Sequence, residues 1–187
     1  THRQQSQVLV DPGTPGVSVR RNIPIMHHIS PEGHCEVVFD NVRVPVSNLV
    51  AEQGDGFMIA QARLGPGRIH HCMRTIGQCE VALELMIERG LNRNTFGKRT
   101  IDHDTTRESV ALCRQEIDMA RLLVLRAAWI IDQEGPRAAR DEGSKIKIVA
   151  ARLQTTVTNR AMQVFGAMGL TPDTPLSYLW SWGRALQ

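Results

Sequence analysis

The sequence predicts an α+β protein that is mainly α, with a strand-rich stretch over residues 1–50 and an antiparallel four-helix bundle over 51–187. Three observations predict it. Short apolar runs in the first fifty residues are broken by Pro and Gly turn signals. From about Asp55 the apolar period changes to alternating threes and fours. Four such runs then follow one another through short connections, the pattern of antiparallel neighbours.

The elements follow in order. Gln7–Asp11 (QVLVD) reads as a strand running into the turns Pro12-Gly13 and Pro15-Gly16, after which VSVRR resumes an extended pattern. Beyond the loop around Pro31-Glu32-Gly33, HCEVVFDNVRVP reads as two strand pieces parted by Asp40-Asn41, and Pro45 closes the run. The boundary falls between Val46 and Gly56. The first helical face is Ile69, Cys72, Ile76, Cys79, Leu83 and Met86. A second runs from Val110 through Cys113, Ile117, Ala120 and Leu123 to Ile130, ending near Gly135-Pro136. A third runs from Ile146 to Val164 and ends at Gly166 and Gly169. The fourth opens at Pro175 with Thr174 or Asp173 as its cap.

Composition narrows the function classes. At 42% hydrophobic and 22% charged, the 187 residues have the make-up of a soluble globular protein. No run approaches the ~18 apolar residues of a membrane span. The net charge of +3 is spread over helical patterns, which gives no footprint for nucleic acid. Cys35, Cys72, Cys79 and Cys113 form no CxxC pair, and the last three fall on apolar helical faces, so they are expected to be reduced and buried. A start at Thr1 and a stop at Gln187 inside a helical pattern suggest a piece of a longer protein.

Several clusters are candidates for chemistry. His70, His71 and Cys72 are successive, and neighbours on a helix diverge by about 100°, so they do not converge on one ion; no metal site is expected. Gly65-Pro66-Gly67 is either a kink or a cleared space against which a ligand lies, with Arg68 aimed at it. Arg93-Asn94-Thr95-Phe96-Gly97-Lys98 is either a surface loop with a buried Phe or a phosphate site served by the Arg93 fork. The stretch from Gln163 to Gly169 is either a glycine cap or a place where a phosphate or ribose nears the backbone. Lys145, Lys147, Arg137 and Arg140 read as solvated faces, and Trp129, Trp180 and Trp182 as packing residues.

Together FDNVRVP (Phe39–Pro45), GDGF (Gly54–Phe57), RNTFGK (Arg93–Lys98) and QVFGAMG (Gln163–Gly169) resemble the acyl-CoA dehydrogenase family. The wording LGPGRIHHCMR over Leu64–Arg74 is similar to family members ten and eleven and their bacterial relatives. The resemblance implies an oxidoreductase of fatty acid metabolism: a flavoprotein with FAD as hydride acceptor, oxidising an acyl-CoA to a trans-2-enoyl-CoA. It implies the end of a middle β-barrel over 1–50, the C-terminal four-helix bundle over 51–187, and no N-terminal domain. Arg68 would bind substrate. Arg93, Asn94, Thr95 and Phe96, with His103 and Asp104, would meet the FAD of a neighbouring subunit, as would Gln163, Val164, Phe165, Gly166 and Ala167. Asp104 and Ala167 depart from the family pattern of His-Gln and Gly-Gly. The catalytic base would not come from Gly67 and is expected just beyond Gln187, so the piece is expected to be inactive alone. Implied partners are acyl-CoA, an electron-transfer flavoprotein and a second copy in a homodimer or homotetramer. The implied location is cytoplasmic in bacteria, and mitochondrial or peroxisomal in eukaryotes. The competing expectation is a non-catalytic helical oligomerisation module that supplies FAD contacts to a partner subunit.

Overall fold

A computed structural model describes residues 3–187; Thr1 and His2, where the predicted strand-rich stretch begins, lie outside the described residues. The chain divides into two compact units, Thr1–Leu64 and Gly65–Gln187.

In the first unit, β1 (Gln7–Val8) pairs antiparallel with β4 (Leu49–Val50), and β2 (Val17–Asn22) with β3 (Cys35–Phe39). Val17 stands opposite Phe39 and Asn22 opposite Cys35, with a bulge between Val19 and Arg21. The Arg21 Nε donates to Glu36 across this pair at 2.8 Å. The two pairs are separate sheets, and no third strand joins either among the described residues. The strand expected after Asp40-Asn41 does not form. Asn41 turns the chain at φ +49°, and Val42–Val44 pair with no strand among the described residues. Pro45 then leads into a 3-10 turn over Val46–Asn48.

α1 (Gly56–Asn92) begins where the period changes, anchored by the Gly56 N–H donating to the Gln5 carbonyl at 2.9 Å. The helix continues through Pro66, whose ring nitrogen cannot donate to the preceding turn. α2 (Asp104–Glu134) stops at Gly135, where φ is +87°. α3 (Arg140–Phe165) gives way to a 3-10 turn over Gly166–Leu170, and α4 (Leu176–Leu186) follows. Neither Thr174 nor Asp173 caps α4. Pro175 occupies the cap position with no side-chain cap bond, and Thr174 is buried with its Oγ1 unpartnered among the described residues.

The four helices share one core. Cys79 and Met86 of α1, Cys113 and Ile117 of α2, Val157 of α3 and Leu176 of α4 are all fully buried. On α2 the buried stripe passes from Ala120 to Val124 and Ala127 and so keeps the seven-residue repeat of Cys113, Ala120 and Ala127, while Leu123, one position off that repeat, is left partly exposed. Trp129, expected to pack, is 59% exposed beside Leu122 and Leu125 on the outer face of α2. Charged bridges lace the helices. Arg114 of α2 grips Glu80 of α1 through two hydrogen bonds of 2.7 and 2.8 Å, and Arg121 joins them. Arg160 of α3 grips Glu116 of α2 in the same forked way at 2.6 and 3.1 Å. Gln154 donates to the Leu179 carbonyl at 2.9 Å, tying α3 to α4. Lys147, read as a solvated face, donates to the Leu186 carbonyl at the end of α4.

Cys72, Cys79 and Cys113 are buried and unpaired, as their place on the apolar faces predicts. Burial pushes all three thiols up, and the neighbouring Cys113 adds to the shift at Cys79. They behave as small hydrophobes and not as nucleophiles.

Candidate functional site

The site is built around the C-terminal end of α1. After Asn92 the chain makes a hairpin, β5 (Asn94–Thr95) and β6 (Lys98–Arg99), with Asn94 opposite Arg99. Its two turn residues, Phe96 at φ +51° and Gly97 at φ +82°, are both left-handed, the geometry that matches the twist of paired strands. Glycine tolerates it; a bulky aromatic does so at a cost of about 1 kcal/mol. Phe96 is also 98% exposed, so the reading of a surface loop with a buried Phe is wrong. Among the described residues its ring meets that of His103 edge-on, at 6.4 Å between centroids.

The hairpin is held from below. The Thr100 N–H and hydroxyl both donate to the Arg93 carbonyl, at 2.7 and 3.0 Å. The His103 Nε2 lies 3.2 Å from both the Thr95 hydroxyl and the Thr95 carbonyl. His103 occupies the cap position of α2, so its ring staples the hairpin to that helix. The exposed Asp104 stands in the first turn of α2, where the helix dipole favours a carboxylate. Asp102 accepts from Arg99 and Arg107, which hold its carboxyl below the usual range. Arg93 is left over. Its guanidinium is exposed and has no hydrogen bond or ion pair among the described residues.

The second segment comes from the end of α3. Val164 and Phe165 pack against the shared core, so those two side chains face inward. Gln163, Gly166 and Ala167 are exposed, and the Gln163 amide has no partner among the described residues. The two glycines of this motif differ. Gly166 turns the chain at φ +67° with open space where a Cβ would stand. Gly169 is buried, and a Cβ there would lie 2.8 Å from the Met162 carbonyl oxygen, so its lack of a side chain serves close packing.

Arg89, which the sequence reading passed over, brings the two segments together. Its guanidinium carbon lies 5.4 Å from the centre of the Phe165 ring, and the Arg93 N–H donates to the Arg89 carbonyl at 3.0 Å. The spacing of Arg89 and Arg93, one turn apart before a hairpin, is the signal that could have revealed it.

Arg68 is not part of this cluster. It lies roughly 36 Å down α1 from Asn92, taking about 1.5 Å per residue. It is half-buried and has no ion pair among the described residues. A Cβ on Gly65 or Gly67 would meet nothing within 4 Å, so neither glycine is required by packing in this structure. His71 hydrogen-bonds Arg74 on the next turn, Nδ1 to Nη2, at 2.7 Å. No group of three His, Cys, Asp or Glu side chains that could hold a metal occurs among the described residues, and no helix is long and apolar enough to cross a membrane.

Comparison with known proteins agrees with the motifs. The family model described as acyl-CoA dehydrogenase, C-terminal domain, matches residues 54–187. The chain is 50% identical to Probable acyl-CoA dehydrogenase FadE2 of Mycobacterium tuberculosis over 186 residues, covering 100% of this chain and 46% of that protein. It is 46% identical to acyl-CoA dehydrogenase family member 10 of Mus musculus, covering 100% of this chain and 18% of that one. Among solved structures it resembles butyryl-CoA dehydrogenase of Megasphaera elsdenii, with a TM-score of 0.85 and 28% identity over 100% of this chain and 48% of that one. The chain thus spans about half the length, or less, of the relatives it matches. With 54–187 matched by the family model and the hairpin and glycine motifs in place, the chain belongs to the acyl-CoA dehydrogenase family.

Proposed function

We propose that these residues are the cofactor-clasping and substrate-orienting part of a flavin-dependent acyl-CoA dehydrogenase, with residues 1–50 the end of a middle β-barrel and 51–187 a C-terminal four-helix bundle. The observation that carries the reading is the hairpin. It is rigidly bonded to its base, yet it presents an unpaired guanidinium at Arg93 and a bare, strained aromatic at Phe96.

A flavin dinucleotide fits what is exposed there. A planar guanidinium without a carboxylate suits a pyrophosphate, which it can grip through two parallel hydrogen bonds. The Gln163 amide can donate to a phosphate or ribose oxygen, and the open side of Gly166 leaves room for a ligand to near the backbone. Asn94 adds an exposed amide beside Arg93, and Phe96 an apolar face. Thr95 and His103 position the hairpin, and Val164 and Phe165 anchor the second segment. Bound there, FAD would supply the hydride acceptor for oxidation of an acyl-CoA to a trans-2-enoyl-CoA, and an electron-transfer flavoprotein would be the acceptor of its electrons.

Arg68 orients the substrate from the far end of α1. Its distance from Arg93 supports the view that the hairpin serves the cofactor of a second copy, in a homodimer or homotetramer. Position 67 has no side chain with which to remove a proton, so these residues supply binding and not the base. The same distance favours the second reading, a helical oligomerisation module that supplies FAD contacts to a partner subunit.

Gel filtration of the purified protein with added FAD tests the proposal. Co-elution of the flavin absorption band with an oligomer of even copy number is the expected result. A strictly monomeric protein that leaves all the flavin behind would overturn it. Turnover of an acyl-CoA by this chain without added subunits would contradict both readings, since neither gives it a base.

A further inference from the structure

Near the end of α1 stands a cation that forms no ion pair with a carboxylate among the described residues. Arg89 is half-buried, its Nε is closed off from solvent without a hydrogen-bond partner, and no ion pair reaches its guanidinium among the described residues. Burying such a group without a partner is unfavourable, so its contacts must return something. Its guanidinium lies over the face of Phe165, at 5.4 Å, inside the roughly 6 Å over which a cation is attracted to an aromatic ring.

Both ends of this contact are fixed. Phe165 is the last residue of α3 and packs against the core, directly before the left-handed turn at Gly166. Arg89 accepts the Arg93 N–H through its own carbonyl. Gly90 beside it is buried against Ile101, where an added Cβ would come within 3.1 Å, so the end of α1 has little room to rotate. Arg89 therefore touches both exposed segments, one through its backbone and the other through its guanidinium.

We propose that Arg89 is a positioning residue that couples the Arg93 hairpin to the Gly166 turn, so that both present their donors to one pyrophosphate-bearing ligand. This rests on the flavin reading above. The guanidinium sets the spacing between the segments, and its uncompensated charge makes their shared surface favourable to an anion.

Amide hydrogen exchange on the chain alone tests the coupling without any ligand. Arg89→Met keeps the length and helix propensity but loses the cation, Arg89→Lys restores a cation, and Phe165→Leu keeps apolar bulk but removes the ring. Expected is exchange roughly two- to fivefold faster in Arg89→Met at Asn94–Thr95 and Gly166–Ala167 together, the scale of an exposed cation–π contact. The core amides of Cys79 and Ile117 should be unchanged. Phe165→Leu should copy this pattern and Arg89→Lys reverse it. Change in only one segment, or in neither, would overturn the coupling, as would Arg89→Lys behaving like Arg89→Met. Titration with FAD reads the second half, and an affinity in Arg89→Met equal to the parent's would also overturn the proposal. If the parent takes up no FAD while the exchange pattern holds, the flavin reading fails and the coupling stands.

Discussion

The two units of this chain obey different rules. Every fully buried apolar side chain among the described residues lies at Cys72 or later, in the helical unit. The strand unit has Leu9 at 65%, Val19 at 60% and Phe39 at 61% exposure, and its two strand pairs share no sheet. An isolated pair of strands is marginal in water, whereas four helices closing on one core supply their own burial. The helical unit therefore carries the stability of this chain. The strand unit leaves apolar side chains such as Leu9, Val19 and Phe39 exposed.

The largest effect is expected where the helices meet. Ile117 is fully buried on α2, and Ile117→Ala should cost about 2–5 kcal/mol in thermal or denaturant unfolding followed by helical signal. A loss below about 1 kcal/mol would show that the helical core does not dominate. Gly169→Ala comes next. The added Cβ meets the backbone of Met162 at 2.8–2.9 Å, so about 1–3 kcal/mol should be lost. The same change at Gly166 meets no atom and strains only φ.

Glu80→Gln sharpens the comparison through pH. The hydrogen bond from Arg114 above all, then that from Arg121, holds the Glu80 carboxyl below its ordinary range. A carboxylate depressed in the folded state stabilises fully above its unfolded value and loses that contribution as pH falls through the folded value. At neutral pH the variant should be about 1–2 kcal/mol less stable, a charge-assisted pair discounted for partial exposure. The gap should close as the solution is acidified past the carboxylate range. A gap independent of pH would mean that packing, not charge, is lost. The smallest effect belongs to the strand unit: Phe39→Ser should change the helical unfolding midpoint by no more than about 0.5 kcal/mol equivalent.

Much of this was legible in the sequence because the helical period is long and regular. Cys72, Cys79 and Cys113 could be placed in the core from spacing alone, and Gly135 and Gly166 marked helix ends. The strand unit was less legible, since Val42–Val44 has strand composition but no partner, and composition does not name partners. At the site, the motifs located the hairpin and the Gly166 turn. Sequence did not show that Phe96 is bare, that His103 is occupied by Thr95, or that Val164 and Phe165 face the core. These depend on which side of a turn faces outward, and two left-handed residues decided it. Arg89 escaped because a lone arginine near a helix end is ordinary until its neighbour across the fold is known.

Equilibrium titration with FAD, comparing the parent protein with Arg93→Ala and with Arg137→Ala, tests the central claim most directly. Arg137 is an exposed arginine in the connection between α2 and α3, away from the hairpin, and it controls for loss of charge alone. If the hairpin clasps the cofactor, Arg93→Ala should weaken FAD binding by about tenfold or more, the scale of a lost charge-assisted pair, while Arg137→Ala binds as the parent does. Equal affinity in all three, with helical content unchanged, would contradict the assignment of the hairpin to the flavin.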